Sequence, residues 1–392
     1  MRKLGIIYLI SLKQLWEINK RVMKKTILIL LLSTLISGSS YSQSIVDGVK
    51  YGGRIMYDMA VWGDSVMENV GTEFRRVRVF NSGKLYGNVK YKLQLDFAGG
   101  EVSFKDVWME LEELPFSGKL RVGHFKEPLR LEALTSSKYI TFMERGLMAS
   151  LSPERNTGAM YHLTSGNKFS LQSGVFREGD NFGDDKEATN NINITSRITY
   201  LVINNDKKLL HLGVNNSIRK NNKKIYKISS RAENHLGTKL IDVTFEDINE
   251  SNLLGGEFAY VNSSFSLQGE YLQITLIGVT ETKLSSYYTQ LSYFLTGESR
   301  PYNSSLDGFG RVKPNNNYGN GGRGAIEVVA RISQISLEKA NMGQLNARTI
   351  GLNWYLNPNT RVMLNYVMGE RIDLLGEVIT ENAAMMRVQL DF

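Results

Sequence analysis

The sequence predicts an all-β chain, folded as one antiparallel barrel that spans a membrane. Three observations carry the prediction. Short segments throughout the chain alternate apolar and polar residues, a secretory leader precedes them, and lysines and arginines occupy the face that a soluble sandwich would have to bury dry. Side chains alternate across a strand with period two, so one face can meet lipid while the other meets a wet lumen.

The leader comes first. Met23-Lys24-Lys25 opens a basic segment, followed by the apolar run Thr26 to Ile36 and by Ser37-Gly38-Ser39-Ser40-Tyr41-Ser42. These are the n-region, h-region and small-residue cleavage site of a signal peptide, with the cut expected before Gln43. The run of 11 residues is too short for a helical span of about 20. Residues 1–22 precede a leader already complete from Met23 and read as a mis-called upstream start. The expected organisation is therefore 1–22 upstream, 23–42 leader and 43–392 one domain. Removing the first 42 residues takes seven of 47 Lys/Arg and one of 39 Asp/Glu, leaving a net charge of +2 in place of +8. Bulk charge then gives no argument for a nucleic-acid partner. The absence of cysteine excludes a disulfide framework. No later segment is apolar for long enough to cross a membrane as a helix.

The strands follow. Leu85, Gly87, Val89, Tyr91, Leu93, Leu95 and Phe97 share one face, against Tyr86, Asn88, Lys90, Lys92, Gln94 and Asp96. Ile326, Val328, Ala330 and Ile332 oppose Glu327, Val329, Arg331 and Ser333. Ile350, Leu352, Trp354 and Leu356 oppose Thr349, Gly351, Asn353 and Tyr355, and Val362, Leu364, Tyr366 and Met368 oppose Arg361, Met363, Asn365 and Val367. Leaving such charges unpaired in a dry core would cost several kcal/mol each. A water-filled lumen removes the difficulty. Counting gives 16 to 18 strands, an even number that keeps both termini on the periplasmic side, and a barrel of that size leaves an aqueous channel.

The connections differ in length. Asn357-Pro358-Asn359 makes a tight turn, whereas Thr296 to Gly324 and Gly369 to Ala383 read as long polar loops of the opposite, external side. The stretch from Phe125 to Gly158 lacks clean alternation and is rich in charge, as expected of a loop that folds inward and narrows the pore. The last ten residues close the wall. Ala384, Met386, Val388, Leu390 and Phe392 share the lipid face, and Met385, Arg387, Gln389 and Asp391 the lumen face.

Several blocks, in order, resemble one family: Phe74-Arg75-Arg76-Val77-Arg78, Tyr91-Lys92-Leu93-Gln94-Leu95-Asp96-Phe97, Val122-Gly123-His124-Phe125-Lys126-Glu127-Pro128, Leu134-Thr135-Ser136-Ser137-Lys138 through Arg145, Tyr293-Phe294-Leu295-Thr296-Gly297-Glu298 and Gly351-Leu352-Asn353-Trp354-Tyr355. The set is similar to the phosphate-selective porin O and P family of Gram-negative outer membranes. The resemblance implies a 16-stranded, porin-like barrel in the outer membrane, among its lipids. It also implies a homotrimer, diffusion of phosphate or other small anions, and a terminal Phe392 read by the barrel-assembly machinery.

An anion pore needs fixed positive charge at its narrow part, and the arginine fork suits phosphate. Alternation places Arg76 and Arg78 in the lumen with Phe74 and Phe80, and puts Lys90 and Lys92 within cross-strand reach. Arg75 has lipid-side parity and is expected at a rim, although the family's Phe-Arg-Arg block raises both Arg75 and Arg76. Asp96 and Glu110 would offset these charges, Ser136 and Ser137 could add neutral donors, and Lys138, Arg145, Arg331 and Arg387 complete the candidate pore lining. A general or organic-solute porin of the same fold is the second reading. An outer-membrane barrel enzyme is a third, which lacks a wall-mounted Ser–His pair.

No cofactor or metal is expected. Gly319-Asn320-Gly321-Gly322-Arg323-Gly324 matches a dinucleotide-binding spacing but enters a strand instead of a helix. The four histidines have no metal-ligand spacing, and Asp184-Asp185 reads as a solvated loop tip.

Overall fold

The computed structural model describes residues 46–64, 67–185, 191–319 and 321–392. The expected leader and upstream segment lie outside the described residues. The wall begins with β1 (Val46–Gly63), β2 (Asn69–Leu85), β3 (Val89–Asp96), β4 (Ser103–Leu114) and β5 (Gly118–Lys126). A short helix, α1 (Leu131–Leu134), follows in the next connection. The wall resumes with β6 (Arg155–Ser165), β7 (Phe169–Arg177), β8 (Asn193–Asn205) and β9 (Lys208–Lys220). A hairpin, β10 (Tyr226–Ser230) and β11 (Ile241–Phe245), precedes β12 (Glu250–Asn262), β13 (Phe265–Ile277) and β14 (Glu281–Phe294). A second small hairpin, β15 (Tyr302–Ser304) and β16 (Gly308–Phe309), precedes β17 (Ala325–Ser336), β18 (Gln344–Asn357), β19 (Thr360–Ile372) and β20 (Val378–Asp391).

Sixteen of these strands close into an antiparallel barrel, each beside its sequence neighbour, with the two hairpins left out of the wall. The higher strand count came from alternating segments that are not wall strands. The face from Leu85 to Phe97 is also two elements, the end of β2 and all of β3, joined by the turn 86–88. Closure runs from Arg54 opposite Asp391 to Gly63 opposite Asn382. The Phe392 carbonyl accepts from the Gly53 N–H at 2.9 Å, and Phe392 N–H donates to the Gly53 carbonyl at 3.2 Å. Glycine is needed there: a Cβ on Gly52 would lie 2.5 Å from the Phe392 oxygen, and one on Gly53 2.7 Å from its ring. The outward residues Val388 and Leu390 are exposed, while Arg387, Gln389 and Asp391 are buried inside.

Two connections contradict the loop assignment. The segment 373–377 between β19 and β20 is short, because both strands run further than the polar composition suggested. The segment 295–324 is long, but it leaves the barrel at the end that holds the tight turns and Phe392. It does not reach outward. Its hairpin rises into the lumen and meets the inward-folded connection 127–154 that enters from the other end. Phe309 N–H donates to Thr135 Oγ1 at 3.2 Å, and Phe309 packs against Leu131 of α1. Gly308 permits this approach, since its φ is +64° and a Cβ would lie 2.2 Å from Thr135 Oγ1.

The lumen is therefore divided. Along β12 to β20 its loop-end half is dry: Leu253, Leu272, Ile274, Leu276, Leu284, Ile335 and Leu345 cluster with Leu147, Met148 and Leu151, and with Ile228 and Ile241 of the β10–β11 hairpin. Along β1 to β6 it is open and charged. This corrects the expectation of a uniformly water-filled interior: apolar lumen positions recruit the loops as a lid, because burying their surface is favourable by about 25 cal/mol per Å².

Candidate functional site

The open side holds a cavity of about 580 Å³. Inward-facing residues of β1 to β5 form its wall, the 127–154 loop its lid, and Asn303, Leu306 and Asp307 of the second inserted loop its far edge. Its lining carries eleven Lys/Arg side chains against four Asp/Glu. Such an excess makes the cavity a well of positive potential wherever water is scarce.

Arg54 of β1 is among its lining residues. It is 6% exposed, donates to Ser137 Oγ at 2.7 Å and to Ser136 Oγ at 3.3 Å, and its Nε has no partner among the described residues. Arg78 donates to Asp96 at 2.7 Å, so Asp96 offsets that one arginine and does not line the cavity. Lys92 and Arg155 share Asp106 at 2.7 and 2.9 Å. Lys90 meets Glu112 at 2.8 Å, near the turn end. Lys90 and Lys92 face Lys84 and Ser82 across the strands, so they extend the basic wall away from Arg76 and Arg78 instead of pairing with them.

The lid is held by its own charges. Arg145 donates to the carbonyls of Glu132, Ala133 and Thr135 at 3.0 to 3.3 Å, and Lys126 donates to those of Leu134 and Thr135 at 3.2 Å. These contacts fix the turn that presents Ser136, Ser137 and Lys138. Lys138 lies over Phe80 and Tyr139, 3.8 Å from Asp391. Burial disfavours its ammonium; Asp391 supports it and Arg54 and Arg311 oppose it, which leaves its pKa lowered to about 8.

A second cavity of about 230 Å³ lies toward the loop end and shares Arg145 and Glu154 with the first. Those two side chains, 3.5 Å apart, stand at the junction. Its lining includes Arg75, Arg76, Arg130, Arg231 and His235. Arg76 Nε and Arg130 Nε and Nη1 are buried with no partner among the described residues. Arg75 grips Glu144 with two bonds of 2.8 and 2.9 Å. Burial alone would raise the Glu144 pKa, but Arg75, Arg76 and Arg387 outweigh it and hold the carboxyl well below its usual range.

Arg75 is not on the lipid side. A bulge between the Met56–Arg76 and Tyr57–Phe74 pairs leaves Arg75 unpaired, so both Arg75 and Arg76 turn inward while Phe74 turns out and is 57% exposed. One extra residue reverses parity beyond it, and simple alternation from Arg78 therefore misplaces Phe74 as well. Arg331 and Arg387 do face inward, but they line neither cavity. Arg331 is bound by Glu233 and by Glu132 at 3.3 Å, and Arg387 by Asp58 at 2.6 Å and Glu144 at 2.9 Å; all of these are buried except Glu144, which is half-buried. Sequence reading passed over Arg54, Arg121 and Asp106. The alternation of Arg54, Met56, Asp58 and Ala60 with Ile55, Tyr57 and Met59 was the available signal for the first.

Comparison with known proteins agrees with this architecture. The family model described as phosphate-selective porin O and P matches residues 49–392. Porin O of Pseudomonas aeruginosa is 27% identical over 365 residues, covering 81% of this chain and 82% of that protein. A Caulobacter vibrioides protein is 26% identical over 347 residues, covering 82% and 68% respectively. Among solved structures, the anion-selective porin from Comamonas acidovorans matches with a TM-score of 0.57 at 13% identity, over 88% of this chain and 99% of that one. OprB of Pseudomonas putida matches with a TM-score of 0.59 at 8% identity, over 92% and 97%. These two likenesses concern the fold. With its sixteen-stranded closed wall and a family match across nearly all described residues, the chain belongs to the phosphate-selective porin O and P family of the outer membrane.

Proposed function

We propose that this protein is a passive outer-membrane channel for small anions, of the phosphate or polyphosphate class, and not an enzyme. The observation that carries the reading is the inner cavity, where eleven basic side chains face four acidic ones and the Arg54 guanidinium, bound to Ser137, has an Nε–H with no partner among the described residues. An oxyanion entering from the outer cavity would pass the Arg145–Glu154 junction. It would exchange water for the arginine and serine donors of the inner cavity and leave along Lys92, Lys90 and Lys84. Charge-assisted donors fix such an anion without covalent chemistry.

Planar-bilayer reversal potentials in a KCl gradient test it, with anion selectivity expected and a chloride current that millimolar phosphate blocks. Cation selectivity would sink the reading. Replacing Arg76 and Arg78 with alanine should move the reversal potential toward cations. A second reading, passage of organic solutes, is favoured by Phe80, Trp108, Phe125 and Tyr139 in the same lining; selectivity without phosphate block would support it. We further propose a homotrimer, which chemical cross-linking in detergent would resolve as a three-chain band.

A further inference from the structure

We infer that the outer wall carries a binding site for the phosphate of an anionic lipid in the cell-exterior leaflet, built around Arg348. The residues beside it, Ala347 and Thr349, are buried in the lumen at 1% and 2% exposure, so Arg348 points out through the wall, where it is exposed. It stands near the loop end of β18, opposite Ile332 on β17 and Met368 on β19. Those two residues and Ile350, exposed by 51%, 36% and 54%, are the bilayer-facing band around it.

The setting is unusual for an arginine of this chain. Arg331 of β17, Arg361 of β19 and Arg387 of β20 turn inward and are buried. Arg348 has no ion pair within 4 Å among the described residues; Glu370, on the same outer face opposite Asn346, does not reach it. Directly beyond Arg348 toward the loop end, Gln334 Nε2 donates to Gln344 Oε1 at 2.9 Å and to Asn346 Oδ1 at 2.8 Å. With its oxygen engaged by Gln334, the Asn346 side-chain amide, two residues from Arg348 on the same face, has its N–H groups left to donate.

A cation on the lipid face is costly at the midplane and nearly neutral at the interface, so this position marks the headgroup level of that leaflet. The occupant follows from the surroundings. Lipid covers the apolar band, and the guanidinium fork and amide donors match the charge and geometry of a phosphate. The site does not depend on what passes through the lumen.

The test uses the full-length protein in detergent, titrated with phosphatidylglycerol or phosphatidylcholine and read by native mass spectrometry. The wild-type protein should retain phosphatidylglycerol about fivefold over phosphatidylcholine, the ratio equivalent to about 1 kcal/mol per basic residue at a membrane surface. Arg348→Gln should abolish the preference, and Arg348→Lys should keep part of it. Equal retention of the two lipids by the wild type, or an undiminished preference in Arg348→Gln, would overturn the proposal. A loss of oligomer in Arg348→Gln would overturn it in favour of a second copy of the chain. Channel reversal potential should be the same in wild type and Arg348→Gln; a shift would place the residue's effect in the lumen and also overturn it.

Discussion

The two sides of the lumen are built from the same alternating strands, yet one is a charged cavity and the other a packed core. Along β1 to β5 the inward residues are Arg54, Arg78, Lys90, Lys92 and Trp108, and water-sized space remains between them. Along β12 to β20 they include Leu253, Leu272, Ile274, Leu345 and Met363, each fully buried beneath the two loops. Buried arginines there are held in place: Arg331 by Glu233, Arg387 by Asp58, Arg197 of β8 by Glu257 of β12, and Arg361 by two neutral acceptors, the Ile140 carbonyl and Gln389 Oε1. The difference teaches that alternation decides which face is inner, while the loop seated on that face decides whether it is wet. It also separates two jobs for arginine. Arg54, Arg76 and Arg130, each with a guanidinium N–H that has no partner among the described residues, border the cavities beside carboxylate-paired Arg78 and Arg155. Arg331 and Arg387, by contrast, are held by carboxylates beneath the loops.

The contrast can be broken first at the fastening. Glu233 accepts from Arg331, Ser333 Oγ and, at 2.6 Å, Thr349 Oγ1. Glu233→Ala takes the nearer of two carboxylates from the buried Arg331, leaving Glu132 at 3.3 Å, and strips Ser333 and Thr349 of their acceptor, which should destabilise the barrel by about 3 kcal/mol. Urea unfolding in lipid vesicles would read the loss, and single-channel conductance should rise as the lid loosens. An unchanged midpoint would mean that the network does not hold the loop. Next, Leu272→Ala in the packed half should cost about 2–5 kcal/mol and leave ion selectivity unaltered, by the same two measurements.

On the open side the order reverses, with little change in stability and a large change in permeation. Arg54→Ala should weaken phosphate block of the chloride current by about 1.5–3 kcal/mol, the worth of hydrogen bonds to a charged group. Block at the same phosphate concentration would assign the anion to other donors. The smallest effect concerns pH. Lys138 has a pKa near 8, so it is mostly charged at pH 7 and mostly neutral at pH 9, whereas an ordinary lysine keeps its charge through that window. Chloride-over-potassium selectivity should therefore fall modestly between pH 7 and 9, and Lys138→Arg should flatten the profile. A wild-type profile already flat would separate Lys138 from the ion path.

The sequence by itself determined the barrel, the inward face of most strands and the charged inner loop. It did so because period-two alternation is a local property, and an exported chain without cysteine has few ways to house lysines on an inner strand face. Arg78, Arg145 and the Ser136-Ser137-Lys138 turn were legible for that reason. The turn-end excursion 295–324 was not: its polar composition resembles an external loop, and only the pairing of Phe309 with Thr135 brings it inside. The placement of Arg75 was not legible either, since a bulge is set by the partner strand's register and leaves no mark in alternation. Whether Arg331 and Arg387 belong to the path or to the scaffold depended on Glu233 and Asp58, 98 and 329 residues away in sequence. Charge is encoded residue by residue. Its neutralisation is a tertiary contact, and it separates the arginines free to meet an anion from those already bound to a carboxylate.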